Sequence, residues 1–195
     1  MKILGIDLAG KEENPSGLCI LDDLKMEYLT NYTNQEIVNT VNNTKPSLII
    51  IDAPLSLPKG RCCLEKECKC AVGGHFRMAE RQIRKYGRVL PLTFTGMKML
   101  TLRGIYLASI LRTQYTVIES HPRTRSMNIG IVDPIECLNK ISKVPLIISD
   151  HEIDAGILTV TGYLYQNNCF IELGDPDEGT IILPKNPNCL DIIKK

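Results

Sequence analysis

Three apolar runs in this chain end on a carboxylate: LGID closes on Asp7, LIIID on Asp52 and VIE on Glu119. An unbroken apolar run bounded by turn residues is the pattern of a strand covered on both faces, which belongs in a parallel sheet between layers of helices. In open sheets of this kind, ligands bind in the crevice beyond the carboxyl ends of the strands. If the three strands are neighbours, Asp7, Asp52 and Glu119 converge there. An ionised carboxylate among apolar neighbours is costly unless a cation or hydrogen bonds compensate it. The repetition therefore points to a cation site, weighed against the plainer alternative of strand-end acids that cap the following turns.

The segments around these runs set the expected architecture. Residues 2–9 read as a buried strand, and 16–22 and 26–33 follow closely enough to form an antiparallel meander with it. Residues 35–44 have helical spacing, with Ile37, Val38 and Val41 on one side and Pro46 as the stop, before the apolar strand over 47–54. Residues 56–112 break the rhythm with a Cys-rich stretch and helices predicted over 75–86 and 96–112, and read as an insertion. The pattern resumes with a strand over 115–119, a short helix over 133–140, a helix over 150–165, and strands over 168–173 and 179–183 joined by GDPDEG. Three adjacent strands, then helices alternating with further strands, is the order of an RNase H-like fold: α/β, with a mixed sheet of antiparallel meander plus parallel strands flanked by helices. A chain of 195 residues suits one such domain carrying the insertion.

The first strand also contains Gly5, four residues, then Gly10 and Lys11, which imitates a phosphate-binding loop up to Glu12, where a Ser or Thr hydroxyl should hold magnesium. Gly5, however, falls inside the strand, where alternation puts Ile3, Gly5, Asp7 and Ala9 on one face. Presentation of Asp7 is the better reading. A fourth acid comes from SDHEIDAGILTVTGYLY, in which Ser149 and Glu152 form a capping box that uses Glu152 on the helix N-terminus. His151 and Asp154 share a side of the first turns, and Ile153, Ile157, Val160 and Leu164 form the apolar side expected to dock on the sheet. Clustered carboxylates repel one another, and hard divalent cations are the usual remedy; two such ions suit in-line phosphodiester hydrolysis.

With 23 basic and 22 acidic residues the net charge is +1, so attraction to a polyanion must come from a local patch. Arg77, Arg81, Arg84 and Arg88 trace one side of a predicted helix, with Lys85 beside them, and Lys98, Arg103 and Arg112 follow on the next. They read either as a solvated face or as a phosphate-binding ridge over the acidic crevice. No apolar run approaches the roughly 20 residues of a spanning helix, which points to the cytoplasm and away from a membrane. Four of the eight cysteines, Cys62, Cys63, Cys68 and Cys70, lie within nine residues, with His75 just beyond. Structural zinc, disulfides and free thiols all remain open, because the spacing is not a pair of C-x-x-C hooks.

The stretches GIDLAG with PSG, IDAPLSLP, RMAERQIRKYG, LRG, VIESHP, DHEIDA and GDPDEGTIILPK together resemble domain-of-unknown-function family 429, predicted nucleases of the RNase H-like superfamily. The resemblance spans the chain. It implies metal-dependent nuclease chemistry on nucleic acid with Mg2+ or Mn2+, an acidic quartet of Asp7, Asp52, Glu119 and Asp154, and His151 in a position where Holliday-junction resolvases carry an acid or histidine. Arg77, Arg81, Arg84, Arg103 and His121 stand on the substrate side. Two departures are Glu80, where the family's Arg-x-x-Asp segment has aspartate, and His121, where tyrosine is usual before proline. The rival readings are a non-catalytic binding module for nucleic acid or protein, and an ATP-dependent phosphotransferase of the actin and sugar-kinase kind, which normally needs a duplicated half absent from this sequence.

Overall fold

The computed structural model describes residues 1–70, 74–124 and 133–186. Residues 71–73 of the predicted insertion lie outside them. A seven-stranded mixed sheet forms the centre, built from β1 (Lys2–Asp7), β2 (Ser16–Asp22), β3 (Lys25–Asn31), β4 (Leu48–Asp52), β5 (Val117–Ser120), β6 (Phe170–Asp175) and β7 (Gly179–Pro184). Their spatial order is β3-β2-β1-β4-β5-β7-β6. The meander β1–β2–β3 is antiparallel, β1, β4, β5 and β7 run parallel, and β6 returns antiparallel to β7. This is the RNase H-like arrangement expected from the element order.

The helices are α1 (Asn34–Thr44), α2 (Met78–Ile83), α3 (Thr95–Leu111), α4 (Pro134–Asn139) and α5 (Asp150–Gln166). On one face of the sheet Leu4, Ile6, Ile49 and Ile51 pack against Ile37 and Val41 of α1 and Leu107, Ala108 and Leu111 of α3. Thus α3 belongs to the main core, and the segment that departs from a plain α/β rhythm ends before it. The helix predicted over 75–86 shrinks to the single short element α2, whose Ala79 and Ile83 cover Leu173, Ile181 and Leu183 of the β6–β7 hairpin.

On the opposite face, Ile3, Leu48 and Ile50 meet Leu158 of α5. The predicted apolar side of α5 turns elsewhere: Ile153, Ile157, Val160 and Leu164 pack with Cys137 and Leu138 of α4 and with Val144. The sheet side of α5 instead carries Leu158 together with the small residues Ala155, Thr159 and Gly162. A Cβ on Gly5 would lie 2.3 Å from the Ala155 carbonyl oxygen, and one on Gly17 would lie 2.1 Å from the His151 carbonyl oxygen. These two glycines let the first turns of α5 rest directly on β1 and β2. No helix among the described residues is long and apolar enough to cross a membrane.

Candidate active site

Register brings the acids together. Asp7 and Asp52 are paired across the parallel β1–β4 ladder, and Glu119 stands one strand further, paired with Ile51. Asp7, Asp52, Glu119 and His151 line one cleft of about 360 Å³ at the carboxyl ends of these strands. The close seating of α5 delivers His151, whose Nδ1 lies 2.6 Å from Asp7 Oδ2. Ser149 caps that helix through the expected reciprocal box with Glu152. Asp154, buried, is approached to 3.8 Å by Nε of the exposed Arg123, another residue of the cleft wall.

The electrostatics are those of crowded like charges. Burial, then Asp7 and Asp154, push the Asp52 carboxyl well above its ordinary range, Arg123 opposing and Glu119 adding a little. Burial also raises Glu119, against the pull of Arg77. Glu119 is held on both oxygens: its Oε2 accepts from the Leu55 N–H at 2.9 Å and from Arg77 Nη1 at 2.8 Å, while Arg77 Nη2 donates to Oε1. The same guanidinium pairs with Glu80 and donates to Ser56 Oγ at 2.8 Å.

Arg77 is therefore corrected from a substrate-facing ridge residue to a buried structural ion, with no exposed surface, set before α2 rather than within a long helix. Arg103 is corrected likewise. Buried in α3, it donates to the carbonyls of Ala9, Lys11 and Tyr32 and to Asn34 Oδ1, which fixes the β1–β2 loop against α1 and α3. That loop has no phosphate-binding form: Glu12 accepts from the backbone and side chain of Asn34 at the start of α1. Arg81 and Arg84 are exposed, and Arg84 lies over the Phe76 ring at 4.1 Å. Of the predicted basic ridge, Arg88 reaches the cleft wall.

Arg123 escaped sequence reading because its only signal was its place just after VIESHP. His121 is also in the cleft wall, its Nδ1 buried without a hydrogen-bond partner and its pKa lowered by burial. The cleft is also lined by apolar Leu8, Pro54, Val89, Leu90, Met97 and Leu100.

As hard oxygen donors that repel one another, Asp7, Asp52 and Asp154 suit Mg2+ or Mn2+. Among the described residues, three potential ligands with donor atoms within 4.8 Å of one another occur at Cys62, Cys63 and Cys68. Cys62, Cys63, Cys68 and Cys70 are free thiols; hydrogen bonding among them draws Cys68 down to about 6 and drives Cys62 up to about 11. His75, exposed, holds Thr93 Oγ1 through Nδ1 at 2.8 Å and stands outside this group.

No sequence profile of a known family and no curated protein matches the chain, so the likeness to domain-of-unknown-function family 429 rests on its motifs. Among solved structures the chain is similar to RuvC from T. thermophilus in complex with Holliday junction substrate. The identity is 13%, with a TM-score of 0.51, over 86% of this chain and 96% of that one. The fold is therefore RNase H-like.

Proposed function

We propose that the protein is a metal-dependent nuclease that hydrolyses phosphodiester bonds of nucleic acid. The observation that carries this reading is the register pairing of Asp7 with Asp52, with Asp154 and His151 brought to the same strand ends by α5. The likeness in fold to RuvC, solved with a Holliday junction, supports a nucleic-acid substrate. Mg2+ or Mn2+ held by Asp7, Asp52 and Asp154 would supply the positive charge that activates water and steadies the leaving oxygen. The chain's own groups do the rest. His151, held through Nδ1 by Asp7, keeps Nε2 for proton exchange, and Arg123 and Arg88 position the phosphate backbone. A two-metal form of the chemistry needs Glu119 as a donor, and so needs its carboxylate to part from Arg77; a one-ion form does not.

That engagement of Glu119 favours a second reading, a nucleic-acid binding module without catalysis. Cleavage of labelled single-stranded, duplex and branched DNA and of RNA, with Mg2+ or Mn2+, separates the two. The nuclease reading expects metal-dependent cutting that falls about a hundredfold or more in Asp7→Asn. Binding without cutting of any substrate by the folded parent supports the module, and an Asp7→Asn protein as active as the parent overturns the site.

A further inference from the structure

The cysteines of the loop after β4 have no part in the acidic cleft, and their arrangement points to a ligand of different chemistry. Cys62 and Cys68 sulfurs are 3.5 Å apart, and Cys63 completes a group whose donor atoms all lie within 4.8 Å of one another. Cys62 also shares a side-chain hydrogen bond with Cys70, so the fourth sulfur borders the first. No disulfide joins any of the four. Four soft donors, three of them within 4.8 Å of one another and Cys70 against the first, offer the ligand set of a closed tetrahedral zinc site.

Residues 61–70 contain no helix or strand. The loop turns where the Cys68 N–H donates to the Glu65 carbonyl at 3.2 Å and Arg61 Nη2 donates to the same carbonyl at 3.3 Å, and it is pinned by buried Leu64. Arg61, immediately before Cys62, is buried, with Nε and Nη1 without a partner among the described residues.

We propose that Cys62, Cys63, Cys68 and Cys70 bind one Zn2+ that orders this loop. Binding exchanges the thiol protons for four Zn–S bonds, with no change of oxidation state. The site has a route to the cleft: Glu65 pairs with Lys98 in the first turns of α3, where Met97 and Leu100 line the cleft. The site stands independently of the nuclease reading.

The test is native mass spectrometry of the full chain purified without chelator, with Zn2+ release followed by a colorimetric indicator after thiol modification. The expected result is one zinc per chain, four thiols shielded from alkylation until the metal is removed, and loss of the metal in Cys68→Ser but not in Cys137→Ala. Since Cys68→Ser is open to a folding defect, the chelated parent is also titrated with Co2+. The absorption of tetrahedral thiolate coordination should appear and be displaced by Zn2+. A cluster of four free thiols that takes up neither ion overturns the proposal, as does a disulfide between two of the four found by peptide mapping, or zinc retained in full by folded Cys68→Ser.

Discussion

Asp52 is the residue on which the cost of the cleft falls most plainly. Burial, Asp7 and Asp154 raise its carboxyl well above the ordinary 3.8, so in metal-free protein, at pH between the unfolded and the raised folded value, the folded chain keeps a proton that the unfolded chain has released. The contribution to stability is complete below the unfolded value and is lost as pH rises through the raised folded value. In chelator-treated protein, Asp52→Asn should therefore gain about 1–2 kcal/mol over the parent at neutral pH, and nothing below the unfolded value, as read from urea midpoints. Equal midpoints throughout the titration would remove the strain argument. The three strand-end acids were legible because each closes an apolar run. The burial of Arg77 was not, because its partner Glu119 lies 42 residues away and only the folded sheet joins them.

Among the elements, α5 does most to shape the site, through contact with two glycines rather than through its apolar side. Gly17→Ala would set a Cβ 2.1 Å from a backbone carbonyl of α5, which cannot rotate away as a side-chain tip would. The helix start must move, at a cost of about 1–3 kcal/mol, and His151 must withdraw from Asp7. Denaturation should show the first effect and the His151 ring resonances the second; unchanged resonances would mean that the seating is looser than the structure has it. The strands were readable because apolar runs and turn residues set their ends within a few positions. The long helix predicted over 75–86 was not found, because its polar pattern satisfied helical spacing without an apolar stripe, and α2 keeps only Met78–Ile83. The placement of α3 in the core was hidden for another reason, since it depends on long-range packing against β1 and β4.

Over the whole molecule, charge is nearly balanced at +1, and binding of a polyanion must be local. Arg123→Ala and Arg88→Ala should each weaken nucleic-acid binding similarly for all sequences and reduce the slope of log affinity against log salt by about one, in fluorescence anisotropy across a salt series. A slope that stays unchanged in both would move the binding surface off this cleft. The mixed sheet was legible from the succession of elements, whereas the apolar lining that Val89, Leu90, Met97 and Leu100 add to the cleft was not, because it assembles only when the segment between β4 and α3 folds back. Arg77, within that segment, is shared between Glu80 beside it and Glu119 in the sheet. For protein engineering, the segment is thus not a free module: a chimera that replaces it must bring its own guanidinium to meet Glu119, or change Glu119 in the same step.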